Sequence, residues 1–213
     1  MGEWQVSSIV GTAANANDKA TLERNGGPSE PLGIGNTLKL GYKIRSQSCS
    51  VVLTYTDGLK IELGSHSVVH YANVSVADTS PLVTIGPGLF LESGLFTEDW
   101  MGGTAPSQAL IVTEKTCAHR TYGSVVIIVG STDINNNLKR RDTYFGSRGK
   151  TEIFDYDKSG SKINVQILQE GYGADYLEGS LRLKPTFVLN PPFDPQEFSE
   201  AKLLGLIDRL INP

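Results

Sequence analysis

Ser50-Val51-Val52-Leu53-Thr54-Tyr55-Thr56-Asp57-Gly58-Leu59-Lys60-Ile61-Glu62-Leu63 is the stretch whose pattern decides the fold class. Two runs rich in β-branched and aromatic residues flank an Asp-Gly pair. Alternation places Val51, Leu53 and Tyr55 on one strand face, and Leu59, Ile61 and Leu63 on one face of the next strand. Asp tolerates a positive φ and Gly adopts it freely, so Asp57-Gly58 predicts a hairpin closed by a two-residue type I′ turn. A second hairpin is expected where Asp157-Lys158-Ser159-Gly160 separates Thr151 to Tyr156 from Ile163 to Leu168.

The same grammar extends to both sides. Trp4 to Ala13 reads as a strand, and the polar stretch Asn15 to Pro31, with Gly26, Gly27 and Pro28, as a loop. Lys43 to Arg45, Val68 to Val76, Ala109 to Thr113, Val125 to Val129 and Leu181 to Leu183 are further strand segments. Pro81 to Pro106 is punctuated by glycine and proline, yet Leu89, Phe90, Leu91, Leu95, Phe96 and Trp100 are too many hydrophobes for a solvated linker. That segment is expected to pack on the sheets, with a partner surface made by Leu89, Phe90, Phe96 and Trp100 as the alternative. Near the end, Asp194 can cap a helix that has Pro195 at its first position and Glu197 completing a capping box. Phe198, Leu203, Leu204, Ile207, Leu210 and Ile211 then recur at helical spacing. One amphipathic helix follows, whose stripe either covers the protein's own sheet or, through Phe198, Leu203 and Ile207, meets another chain.

Composition agrees with this β reading. Among 213 residues, Val, Ile and Thr total 45 against 11 Ala, and 23 Gly with 10 Pro supply punctuation for many short strands. The expected fold is mainly β: two small antiparallel lobes, sandwich-like or rolled, with one C-terminal α-helix. The divisions are residues 1–78 for the first lobe, 79–121 for a Gly/Pro-rich packed connection, 122–189 for the second lobe and 190–213 for the helix. A net charge of −4 disfavours nucleic acid as a partner, and Lys139-Arg140-Arg141 is expected to be a solvated loop. No apolar run approaches the roughly 18 residues of a membrane span, so direct membrane insertion of this chain is not expected.

Little in the chain points to catalysis. Cys49 and Cys117 fit no CxxC pattern and are either one disulfide or two buried thiols. His66 and His70 flank a strand, where four residues span about 13 Å, too far for both imidazoles to reach one ion. The candidate acids are Glu98 and Asp99, Asp155 and Asp157, and the group Glu170, Asp175 and Glu178; as pairs they would suit an enzyme acting on carbohydrate or another polymer. Asp155, Asp157, Ser159 and Gly160 resemble part of a calcium loop but lack its bidentate Glu. No catalytic residue, cofactor or metal ligand is assigned.

One resemblance stands out. Gly35, Leu38, Gly41, Ile44, Ser50, Leu53, Asp57, Gly58, Ile61, Leu63 and Ser67 stand where the FecR domain carries its glycines, turn residues and alternating hydrophobes, and residues 5–72 resemble that family. Tyr42 departs from it, since the family usually has Asp there, and Asn15 to Pro31 is longer than the family pattern. The resemblance implies a β-rich interaction module of a periplasmic or surface protein, of the kind that relays a signal from an outer-membrane receptor to a sigma factor. Signalling members join it to a membrane helix and a cytoplasmic segment; a stand-alone or excised ectodomain is expected here.

Sliding the chain by 100 residues sets Leu38 on Leu138, Leu53 on Ile153 and Asp57 on Asp157. Two inserted residues then set Gly58 on Gly160, Ile61 on Ile163 and Leu63 on Val165. Either a duplicated β unit, with a weaker second copy over residues 122–172, or two unrelated hairpins would give this match. The leading functional expectation is a non-enzymatic protein-interaction or ligand-sensing domain of an extracytoplasmic or surface protein. It would bind a protein partner or itself. The alternatives are the two-carboxylate enzyme and a structural subunit of an extracellular or viral assembly.

Overall fold

The computed structural model describes residues 2–11, 20–75, 83–100, 107–113, 117–121, 123–134, 137–170, 172–177 and 180–184. These contain seventeen strands and no helix. The first nine are β1 (Trp4–Gly11), β2 (Ala20–Arg24), β3 (Ser29–Pro31), β4 (Thr37–Leu38), β5 (Tyr42–Ser46), β6 (Cys49–Tyr55), β7 (Lys60–Leu63), β8 (Val68–Ser75) and β9 (Thr84–Asp99). The rest are β10 (Ile111–Thr113), β11 (Cys117–Thr121), β12 (Ser124–Ile134), β13 (Asn137–Arg148), β14 (Lys150–Tyr156), β15 (Lys162–Gln169), β16 (Gly173–Leu177) and β17 (Ser180–Lys184). The protein is thus mainly β, and the helix expected over residues 194–211 lies outside the described residues.

The strands form two layers that share β9. One layer runs β4-β1-β6-β7-β9-β12-β13-β16-β17. The other runs β3-β2-β5-β8-β9-β10-β11-β14-β15. All pairings are antiparallel except β9 with β10. The first part of β9 pairs with β8 and β10, its last six residues pair with β12, and the last four of these pair also with β7.

The crossing falls at Gly94, whose φ is +115°. There the hydroxyl of buried Ser67 both donates to the Leu95 carbonyl and accepts from the Leu95 amide, each at 3.1 Å, while Ser67 N donates to Ser46 Oγ at 2.9 Å. Ser67 thereby bonds both backbone groups of Leu95, whose carbonyl also accepts from Gly64 N at 2.8 Å.

Residues 84–99 therefore correct the expected packed connection: they are the central strand. Glycine and proline punctuation hid it, because a strand that changes layers needs a bulge and a positive φ within its own length. The supposed loop from Asn15 to Pro31 likewise contains β2 and β3. Buried Ala20 and Leu22 supply β2's apolar alternation, which the neighbouring Glu23, Arg24 and Asn25 masked.

Both predicted hairpins form. At the first, Tyr55 N donates to the Leu59 carbonyl at 2.8 Å and Gly58 N to the Tyr55 carbonyl at 2.9 Å, and of Asp57 and Gly58 only the glycine has positive φ. The type I′ expectation is corrected to a type I turn followed by a left-handed glycine. The second hairpin repeats it: Asp157 N reaches the Ser161 carbonyl at 2.9 Å, Gly160 N the Asp157 carbonyl at 3.0 Å, and Gly160 has φ +82°.

A wider repetition follows from the pairings. β1–β6, β6–β7, β2–β5, β5–β8 and β8–β9 recur as β11–β14, β14–β15, β12–β13, β13–β16 and β16–β17. The cross-strand ladder Leu22, Ile44, Val69, Leu91 has its counterpart in Ile127, Tyr144, Ala174, Leu183. β3 and β4 belong to the first half alone. Leu38, on β4, consequently has no structural counterpart in Leu138 on β13, whereas Leu53 and Ile153, and Ile61 and Ile163, lie on equivalent strands.

One apolar core runs through both halves, from Trp4, Val6 and Leu53 through Leu89, Leu91 and Phe96 to Ile127, Tyr144 and Ile153. A smaller cluster gathers Val74, Leu110, Val112 and Phe154.

Candidate partner-binding edge

The residues expected as a partner surface on the central segment do not form an exposed patch. Leu89, Phe96 and Trp100 are buried in the main core, and Phe90 is half-buried against the smaller cluster. Leu89 and Phe96 turn inward because the alternation changes phase across Gly94, and Trp100 follows the end of β9; assigning the stretch to a connection hid this. Phe198, Leu203 and Ile207 lie outside the described residues.

The candidate acids occupy varied settings. Glu98 is buried, on a stretch of β9 between β7 and β12. Asp99 accepts from Arg148 at 2.7 Å and from the Ser124 hydroxyl. Asp157 spends Oδ1 on its own turn, accepting from Ser159 N at 2.8 Å, Ser159 Oγ at 2.6 Å and Ser161 N at 2.9 Å. These hydrogen bonds, led by the Ser159 hydroxyl, hold its carboxyl below the usual range. Asp155 is buried on β14, and burial pushes its carboxyl up against a weak opposing contact from Asn164 Nδ2 at 3.4 Å. Glu170 is exposed after β15, and Asp175 lies on β16.

Sequence reading missed an open hollow of about 330 Å³ lined by Glu3, Gln5, Thr37, Thr54, Tyr55 and Thr56. Its signal was the outward polar alternation of β1 and β6. Much of its polarity is already used: Glu3 N donates to Thr56 Oγ1 at 2.6 Å and Thr54 Oγ1 to Ser7 Oγ at 2.9 Å. Burial, then the charge of Asp57, holds the Tyr55 phenol above its usual range.

The edges of the two layers differ sharply. β3 has three residues, one of them Pro31, and β4 has two, so both are too short or too proline-blocked to template another strand. β15 is eight residues long and pairs with β14 on one side; among the described residues no strand pairs with its other side. It exposes Ile163, Val165 and Ile167 at 38%, 47% and 53%. An extra residue bulges β15 opposite Phe154, where Asn164 takes φ +52°, a conformation that Asn tolerates better than most residues. Lys162 is anchored beside the bulge by Glu152 at 2.7 Å and lies over the Phe154 ring, 4.1 Å from its centroid. A long strand with one side that no described strand pairs and outward aliphatic side chains has the features that strand addition uses.

No family model, curated protein or solved structure matches the chain. No helix among the described residues is long and apolar enough to cross a membrane.

Proposed function

We propose that this chain is a non-enzymatic protein-interaction domain of an extracytoplasmic or surface protein, and that it takes its partner by strand addition at β15. The observation that carries this reading is that, among the described residues, no strand pairs with the second side of β15, while Ile163, Val165 and Ile167 are exposed along it. A FecR-like first half is supported by the positions of the matching residues: Gly35, Gly41 and Gly58 stand in turns, and Leu38, Ile44, Leu53, Ile61 and Leu63 are buried. The repeated pairings of β11 to β17 favour a second copy of the same unit. Self-association through the same edge is the second reading, since two copies of β15 can pair antiparallel.

The test uses a fluorescent peptide carrying residues 91–100, whose second half fills the side of β7 equivalent to the second side of β15. It is expected to bind the full chain and to lose binding at least tenfold in Val165→Lys, whose charge guards the edge while the exposed site leaves thermal stability unchanged. Binding that is indifferent to Val165→Lys overturns the reading. A rise in solution mass with concentration that Val165→Lys abolishes selects self-association.

A further inference from the structure

The hollow beside β1 is built on a cross-strand row. Gln5 pairs with Thr37 of β4 on one side and with Thr54 of β6 on the other, which sets three polar side chains abreast on the outer face. Alternation turns their neighbours inward: Trp4 and Leu38 are buried in the core, and Tyr55 packs against it. Just past the row, Glu3 N donates to Thr56 Oγ1 at 2.6 Å and Thr56 N to the Glu3 carbonyl at 3.1 Å, tying the two strand ends together. Tyr55 supplies the aromatic part of the wall, its ring centroid 5.1 Å from that of Trp4.

The hydrogen-bonding groups left over are mostly acceptors. Among the described residues, no hydrogen bond or ion pair engages the Glu3 carboxylate, the Gln5 amide oxygen or the Thr37 hydroxyl. Gln5 Nε2 makes only a long contact to the Gly35 carbonyl at 3.4 Å, and Thr54 Oγ1, which donates to Ser7 Oγ, keeps its lone pairs. No Lys, Arg or His lines the hollow, so an anion finds no counter-charge there, and only Tyr55 offers apolar surface. A ligand rich in hydroxyl donors and free of negative charge fits this set. The volume of about 330 Å³ stands at the lower end of small-molecule sites, which span roughly 300–1,000 Å³, and the open mouth lets a longer ligand continue into solvent.

The internal repetition supplies an independent observation. β4 belongs to the first half alone, so the described second half lacks the strand that contributes Thr37. A departure from the repeat that completes a polar hollow is what a site grafted onto one copy requires.

We propose that this hollow binds a neutral saccharide, taking one ring of an oligosaccharide. The Glu3 carboxylate and the Gln5 amide accept from ring hydroxyls, the Thr37 hydroxyl pairs with a third, and the C–H face of the ring lies against Tyr55. Three hydrogen-bonded strands hold these groups in place before the ligand arrives. The site is separate from β15, none of which lines it.

The test uses the isotope-labelled full chain, titrated separately with cellotriose, maltotriose and triacetylchitotriose, and with putrescine as a cationic rival. At least one trisaccharide is expected to bind saturably, to move the amide signals of Gln5, Thr37, Thr54 and Thr56, and to be indifferent to salt. Thr37→Val removes a hydroxyl that bonds nothing among the described residues, and should weaken that binding about tenfold with the melting temperature unchanged. Val165→Lys should leave it unaltered. No shift with any of the three trisaccharides overturns the proposal, as does binding that Thr37→Val leaves at full strength or that Val165→Lys weakens equally. Binding of putrescine alone, lost as salt is raised, also overturns it and assigns the hollow to an ammonium ligand.

Discussion

Asp155 shows how one side chain can carry a pH dependence. Burial raises its carboxyl above the ordinary value of 3.8, with the Asn164 amide opposing, and Oδ1 has no hydrogen-bond partner among the described residues. Between 3.8 and the raised folded value, the folded state keeps a proton that the unfolded chain has lost, so stability falls as pH rises through that window and the penalty persists above it. Asp155→Asn removes the charge at nearly constant shape. Its melting temperature is expected to match the parent near pH 3 and to exceed it by a few degrees at pH 7. A gain of equal size at both pH values would show that ionisation is not the cause. The sequence offered Asp155 and Asp157 as a pair; it could not show that one is buried while the other is consumed by its own turn.

Among the elements, β9 rests most heavily on a single position. A methyl group at Gly94 would lie 2.6 Å from the Ser67 Cα, on a backbone at φ +115° that side chains rarely adopt. Gly94→Ala is expected to lower stability by about 2–4 kcal/mol, read from the denaturant midpoint; an unchanged midpoint would mean that β9 crosses between layers without needing glycine. The hairpins were legible from local pattern, since Asp57-Gly58 and Ser159-Gly160 each sit between alternating runs. The turn type was not, because it depends on the backbone angle of Asp57. That carboxylate is bound by groups fifty residues away: Asp57 Oδ2 accepts from Ser107 Oγ at 2.7 Å and Gln108 N at 2.9 Å. That no described strand pairs with the second side of β15 was equally out of reach, because a strand pattern such as Ile163 to Leu168 does not tell which neighbours flank it. Leu89, Phe96 and Trp100 had both readings, and the layers that enclose β9 decide for the core.

At the scale of the whole molecule, the mainly β class followed from β-branched content and punctuation, but the sharing of one strand between two layers did not. A division near residue 78 cuts β7 and β8 from the strand that both require. Residues 1–78 expressed alone are expected to aggregate, whereas residues 1–100 retain both partnerships. Comparing their soluble yields checks this, and a soluble, cooperatively melting 1–78 fragment would contradict it. The shared strand also sets a schedule for synthesis. As the chain leaves the ribosome, β7 and β8 emerge and must wait, each with an edge exposed, until residue 99 has cleared the exit tunnel. The first half is therefore closed by the last strand it shares, and its exposure during translation is timed by the length of β9.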